Sequence, residues 1–342
     1  MPKQLIPFIG GKSLLQLALD RLDGLLAQED IFICAGQVHK DLILSTIEGA
    51  AADRYFGEPM GRNTLNAVGL VAAERLRSDP DAVIAVFTAD HIIEPADRFR
   101  QIVEQGYRIV EAHPNSLVTF GIAPTHPATG YGYLQLGRPL DDHDANIVDR
   151  FQEKPDDATA HRYIAAGPDK FLWNSGMFVW RADTFMHAVK RFAPSNHQGL
   201  MRVAETYHTD QQAQMLEQVY PTLDKISVDY AVMEPASCDP DFQVVAVPMS
   251  LSWLDVGSWP AFAQTCKADE QGNTAIGEHL MLDTSNTLVV SNDAEHLITT
   301  IGSKDMIVIH TADATLVCHV DHAERIKQLH EMVTQRYGSS KV

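Results

Sequence analysis

A chain of 342 residues with 45% hydrophobic content is long enough for about two domains around a sizeable core, and its formal net charge of −18 repels nucleic acid and anionic membrane surfaces. Any phosphate-bearing ligand therefore has to meet a local group of cations or a metal ion. The scattered cysteines Cys34, Cys238, Cys266 and Cys318 have neither metal-ligand spacing nor a disulfide framework, which suits a reducing cytoplasm, and no apolar run reaches the ~18 residues of a membrane span.

From the start to about residue 122, strand-like runs alternate with helical spacing. "DIFICAG", "RYFGEP", "DAVIAVFTAD" and "NSLVTFGI" read as strands, and 13–28, 39–50, 63–78 and 95–112 as helices that open at Ser13, Asn63 or Thr64, and Pro95. Alternation of this kind predicts an α/β fold, doubly wound, around a mostly parallel sheet. Beyond it, "GYGYLQLG", "NIVDRFQEKP" and "GMFVWRA" read as strands of a mixed sheet, 182–234 as almost wholly helical, and "FQVVAVPM" as a last strand before "SWLDVGSW". The composition shifts near residue 268 to short β runs with Gly, Asn and Asp turns, closed by a helix at 322–337. The expected division is a larger domain over 1–267 and a small β-rich domain over 268–342. No repeat is evident in the β runs, and His319 and His322 read as solvated rather than metal-binding.

Several stretches could carry chemistry. The buried strand in "AVIAVFTADHIIEP" delivers Asp90 and His91 at its carboxyl end, where open α/β sheets bind ligands; Asp90 works there or caps the next helix. In "FGEPMGRNT", Arg62 and Asn63 precede a helix whose unpaired N–H groups attract anions, unless Asn63 is an ordinary cap. Gly130 and Gly132, around Tyr131, let a ligand approach the backbone or simply build a turn. Glu153 and Lys154 end a strand before Pro155; together they suit a sugar phosphate, or form a solvated pair. Asn174, within "FLWNSGMF", braces a loop or meets a ligand, and Asp255, between two tryptophans, needs a cation to face, arginine or metal.

In this order "PKQL", "FGEPMGRNT", "TADHIIE", "FGIAPTHPATGYGY", "FQEKP", "FLWNSGMF", "SVDYAVME" and "WLDVGSW" closely resemble the mannose-1-phosphate guanylyltransferase family, over nearly the whole chain. That resemblance implies a nucleotide-diphospho-sugar transferase fold and a reaction joining GTP and mannose 1-phosphate into GDP-mannose and pyrophosphate. It implies that Asp90 and Asp255 hold the catalytic Mg²⁺, and that Arg62 and Asn63 lie in the nucleotide-side loop. Tyr131 and Gly132 would shape the sugar pocket, Glu153 and Asn174 would bind mannose hydroxyls, Lys154 would meet the sugar phosphate, and Lys3 the nucleotide phosphates. Two features depart from the family: Leu65-Asn66 stands where Ala-Pro is usual, and the Gly-Gly-x-Gly-x-Arg loop that precedes Pro-Lys-Gln is absent. The chain is expected to be truncated at its start, with reduced GDP-mannose synthesis that an extended version restores. It is also too short for the cupin-type isomerase domain of bifunctional relatives. A nucleotidyltransferase for another hexose 1-phosphate and a non-catalytic sugar-nucleotide-binding protein are the alternatives, and a homodimer is kept open.

Overall fold

The computed structural model describes residues 3–6, 11–140, 143–291, 293 and 295–338. The chain divides into two compact units: one comprises Asp20–Thr88 and Ile93–Ser252, the other Met1–Leu19, Ala89–Ile92 and Trp253–Val342. Among the described residues no helix is long and apolar enough to cross a membrane.

In chain order the strands up to residue 250 are β1 (Ile33–Gly36), β2 (Tyr55–Glu58), β3 (Val83–Val86), β4 (His91–Glu94), β5 (Ser116–Ile122), β6 (Tyr133–Pro139), β7 (Asn146–Gln152), β8 (Phe171–Arg181) and β9 (Gln243–Pro248). The larger unit is built on a six-stranded sheet of order β3-β8-β5-β9-β7-β6, and β1 and β2 pair separately in parallel. All seven residues of β5 are buried, as a central strand covered on both faces requires. The helix Ala96–Ala112 buries Phe99, Ile102, Val103, Gly106, Ile109 and Val110, the i, i+3, i+4, i+7 stripe of a helix lying on a sheet. The sheet is mixed: β5 and β9 run parallel, while β3–β8, β5–β8, β6–β7, β6–β8 and β7–β9 are antiparallel. The parallel share is smaller than the strand–helix alternation suggests, because the 11-residue β8 serves three neighbours, pairing with β6 at its start, with β3 at its end and with β5 on both sides of a register shift. The β5 register shifts between Thr119 and Gly121, and β8 carries Gly176 at φ 71°. Positive φ is a conformation that favours glycine, so the irregularity is written into the sequence at that point.

The helix expected over 13–28 covers only Leu14–Asp20. Gly24, at φ 80°, sits in the turns that follow and breaks the regular ladder. The stretch 182–234 is helical but broken, with Ala182–Phe192, Pro194–Glu205 and Gln212–Val219 followed by a wide π turn at Asp229–Met233. Pro194 stops the first of these helices and starts the second, since it lacks an N–H yet suits the first helical position.

The smaller unit holds β10 (Ser252–Asp255, its first residue excepted), β11 (Thr274–Ile276), β12 (His279–Leu282), β13 (Leu288–Ser291), β14 (Ile298–Ile301), β15 (Met306–His310) and β16 (Thr315–His319). Here β11, β13 and β15 stack in parallel, β16 closes that sheet antiparallel, and β12 and β14 form a second parallel pair. The steps from β12 to β14 and from β13 to β15 are 19 residues long, as in the bonds Met306 N–H to Thr287 and Asn286 to Asp305, whereas β11 to β13 is a step of 14. Asp283, Asn286 and Asp305 turn the corners at positive φ, where short polar residues are tolerated. Leu288, Val290, Ile307 and Ile309 pack with Leu14, Val256 and Phe262 as this unit's core. The repeat escapes a sequence reading because its strands are only three to five residues long.

Candidate active site

Two groups of polar side chains, one in each unit, hold the candidate residues. In the smaller unit Asp90 follows β3 in a turn, and its carbonyl accepts from the Val256 N–H at 2.9 Å. That bond ties the Asp90 turn to the end of β10, which carries Asp255. One donor atom each from Asp90, His91 and Asp255 lie within 4.8 Å of one another. His91 is buried, with Nε2 3.9 Å from an Asp90 oxygen and 4.0 Å from an Asp255 oxygen. Its Nδ1 accepts from the Trp253 indole N–H at 3.2 Å. An indole only donates, so Nδ1 carries the lone pair and, in the neutral ring, Nε2 carries the proton. The two carboxylates are therefore the anionic donors of this group. Two carboxylates with room for water and phosphate oxygens suit a hard octahedral cation such as Mg²⁺ better than a nitrogen-rich set would.

In the larger unit the chain gathers Gly132, Glu153, Lys154 and Asn174. Asn174 lies where β8 leaves its regular register with β5, and its N–H donates to the Gly132 carbonyl at 2.8 Å. Glu153 follows β7, is buried, and pairs with the Lys154 ammonium at 3.3 Å, while Lys154 stays about half exposed at 52%. Lys154 has φ 44°, so the chain turns sharply there and presents both side chains on one side of the strand end. Tyr131 meets the Trp173 ring edge to face at 5.1 Å, next to Asn174. Burial, and then the negative charge of Asp229, push the Glu153 carboxyl from 4.5 up to about 7, against the pull of Lys154.

That shift has a measurable sign. The folded protein holds this proton more tightly than the unfolded chain, so the contribution favours folding at low pH and is lost as pH rises from about 4.5 to about 7. Glu153→Gln removes the titration, and its melting temperature falls less steeply than the wild type's across this window in calorimetric scans. Equal slopes would contradict the assignment.

Gly132 is required for a different reason. A Cβ there would stand 2.5 Å from a Glu153 carboxylate oxygen and 3.1 Å from the Phe151 ring. Gly132→Ala is expected to displace the carboxylate and to weaken binding of any ligand held by Glu153 by about tenfold or more, while the melting temperature drops by only a few degrees, roughly 1–2 kcal/mol of packing cost. Titration calorimetry beside thermal scans separates the two effects; a stability loss without an affinity loss would be the contrary result.

The loop at Arg62 and Asn63 is also well fixed. Asn63 caps the helix Thr64–Ser78, its side chain accepting from the Thr64 N–H at 2.8 Å, and the Arg62 guanidinium donates to the Pro221 carbonyl. The departure Leu65-Asn66 is explained locally: buried Asn66 donates to the carbonyls of Arg62 at 2.9 Å and Asp224 at 2.8 Å. Glu58 accepts from the Tyr220 hydroxyl at 2.5 Å and from the Arg62 N–H, and burial raises its carboxyl above the usual range. The Thr64 hydroxyl accepts from the Val228 N–H at 3.0 Å, joining this loop to the segment before Asp229. The Lys3 side chain lies outside the described residues.

The sequence reading placed His91 beside Asp90 without giving it a role, and it assigned none to Trp253 or Asp229. His91 and Trp253 are 162 residues apart, and Asp229 reaches Asn174 across 55.

Comparison with known proteins agrees with this architecture. Residues 1–272 match the nucleotidyl transferase family and residues 277–334 the MannoseP isomerase/GMP-like beta-helix domain. The chain is 34% identical over 337 residues to the xanthan biosynthesis protein XanB of Xanthomonas campestris, covering 98% of this chain and 68% of that one. It is 33% identical over 340 residues to a mannose-1-phosphate guanylyltransferase of Escherichia coli, covering 97% and 69%. A crystal structure of mannose-1-phosphate geranyltransferase from Thermus thermophilus superposes with a TM-score of 0.79 at 29% identity, covering 97% of this chain and 92% of that one. With its catalytic-domain match, its β-helix coils and relatives similar over nearly its whole length, the chain belongs to the nucleotidyl transferase family, among the mannose-1-phosphate guanylyltransferases.

Proposed function

We propose that this chain joins GTP and mannose 1-phosphate into GDP-mannose with release of pyrophosphate, using Mg²⁺ held by Asp90 and Asp255. The observation that carries the reading is the pairing of a buried carboxylate with a half-exposed ammonium at one strand end, Glu153 and Lys154. A neutral ligand needs no such cation, and a free phosphate needs no such acid. Glu153 and Asn174 hold the hexose hydroxyls, and Lys154 neutralises and aligns the 1-phosphate whose oxygen attacks the α-phosphorus of GTP. Arg62, Asn63 and the helix start behind them face the nucleotide, and Tyr131 and Gly132 shape the sugar side. Lys3 takes its place at the nucleotide phosphates. Mg²⁺ supplies, when bound, charge neutralisation for the phosphate oxygens. His91, locked by Trp253, keeps a proton towards both carboxylates and spaces them.

The proposed domain boundary is at residue 268, and the proposed compartment is the cytoplasm, which free thiols at Cys34, Cys238, Cys266 and Cys318 suit. A homodimer is the proposed oligomer, read by sedimentation velocity. A panel of mannose, glucose and galactose 1-phosphates with GTP and UTP tests the reaction through pyrophosphate release. Mannose 1-phosphate with GTP is expected to lead by more than about tenfold. Preference for another sugar or base would reassign the substrate, and GDP-mannose binding without pyrophosphate release would make the protein a sugar-nucleotide binder.

A further inference from the structure

The motif "SVDYAVME" brings an acid into contact with the sugar-side group. Asp229 opens the π turn Asp229–Met233, a widened helical turn of the kind often found at functional sites. Its carboxylate accepts an N–H of the Asn174 amide at 2.9 Å. On the other side, the Asn174 amide oxygen lies 2.7 Å from the Thr119 hydroxyl, which is also 3.0 Å from the Met177 carbonyl. Asn174 and Thr119 are both buried, so the two bonds of the Thr119 hydroxyl are made away from bulk water, while the bond to Asp229 is partly buried.

These contacts decide which way round the Asn174 amide sits. A hydroxyl both donates and accepts, so Thr119 would tolerate either the oxygen or the nitrogen of the amide. A carboxylate only accepts, and turning the amide over would set an oxygen 2.9 Å from it. The choice therefore lies with Asp229. Once it is made, Asn174 has one N–H and one lone pair left for a ligand, in fixed places.

We propose that Asp229 is a positioning residue of the hexose site, which fixes the Asn174 amide so that its remaining N–H and lone pair select one arrangement of sugar hydroxyls. This rests on the reading of Glu153, Lys154 and Asn174 as a hexose 1-phosphate site. Asp229 acts through Asn174 and does not touch the sugar. Burial holds its carboxyl above the usual carboxylate range, while the Asn174 N–H and the Lys154 charge oppose that shift, so removal of either partner changes its environment.

The test is titration calorimetry of mannose 1-phosphate and glucose 1-phosphate into the wild type, Asp229→Asn, Asn174→Ala and the double variant. Asparagine at 229 has the same volume but donates as well as accepts, so it no longer selects the amide orientation. Asp229→Asn is expected to bind mannose 1-phosphate about tenfold or more weakly and to lose much of its preference over glucose 1-phosphate. In the Asn174→Ala background the same change is expected to cost less than about twofold, because its target is gone. Asp229→Ser, smaller and equally unselective, carries the same expectation should Asp229→Asn fail to fold in thermal scans. Unchanged affinity in Asp229→Asn, or an undiminished loss in the Asn174→Ala background, would overturn the inference alone. Failure of the wild type to bind mannose 1-phosphate would overturn both it and the functional reading on which it rests.

Discussion

Asp255→Asn and Asp90→Asn each reduce GDP-mannose synthesis by about a thousandfold or more while leaving the protein folded. Asparagine keeps the shape and one oxygen of the side chain but removes its charge. The anionic donor set around His91 then falls from two carboxylates to one. Neither acid serves the core: both are partly exposed, at 30% and 25%, and the bond that fixes the turn uses the Asp90 backbone carbonyl, which the substitution leaves in place. The lost interaction therefore acts on charge that develops at the phosphates rather than on packing, and appears in kcat and in Mg²⁺ affinity together. Steady-state rates at saturating substrates, with Mg²⁺ titrations of each variant and thermal scans, check this. Near-normal turnover by Asp255→Asn at millimolar Mg²⁺ would remove that residue from the metal site.

Glu153→Ala erodes the preference for mannose over glucose 1-phosphate by more than about tenfold, and weakens GTP binding much less. The carboxylate is buried against Gly132, with Lys154 beside it and Asp229 close enough to raise its proton affinity. A hydroxyl bonded there is read strongly, because an epimer that fails to reach it leaves a buried polar group without its partner. Truncation to alanine abolishes the reader and so flattens the distinction. It also relieves the crowding of acids around Lys154, so affinity for the phosphate itself is expected to survive in part. Competition assays with the two sugar phosphates, alongside GTP titrations, separate these effects. Equal losses for both sugars and for GTP would assign Glu153 a structural role instead.

Much of this was legible in the sequence wherever local chemistry decides the outcome. The helix Thr64–Ser78 starts where Asn63 caps it, and the helix Ala96–Ala112 follows its apolar stripe after Pro95. Glu153 and Lys154 announce themselves because a charged pair before proline has few places to go but a strand end. What stayed hidden depends on distant chain segments meeting. The antiparallel pairings of β8 arise because one long strand satisfies three neighbours, which no local pattern encodes. The β coils are hidden by strands too short to show a period and by steps of unequal length, 14 and 19 residues, though their corner residues Asp283, Asn286 and Asp305 were visible as turn formers. Asp229 was hidden most thoroughly, inside an apolar helical run, and only its bond to Asn174 gives it a task.

The proposed dependence of guanylyl transfer on the two acids can be tested directly by phosphorus NMR. With GTP, mannose 1-phosphate and Mg²⁺, the diphosphate resonances of GDP-mannose and the resonance of pyrophosphate are expected to grow in equal amounts. They stop on chelation of the metal, resume when Mg²⁺ is restored, and are absent for Asp255→Asn. GTP left intact beside bound mannose 1-phosphate, or cleaved to GDP and inorganic phosphate, would contradict the assigned reaction.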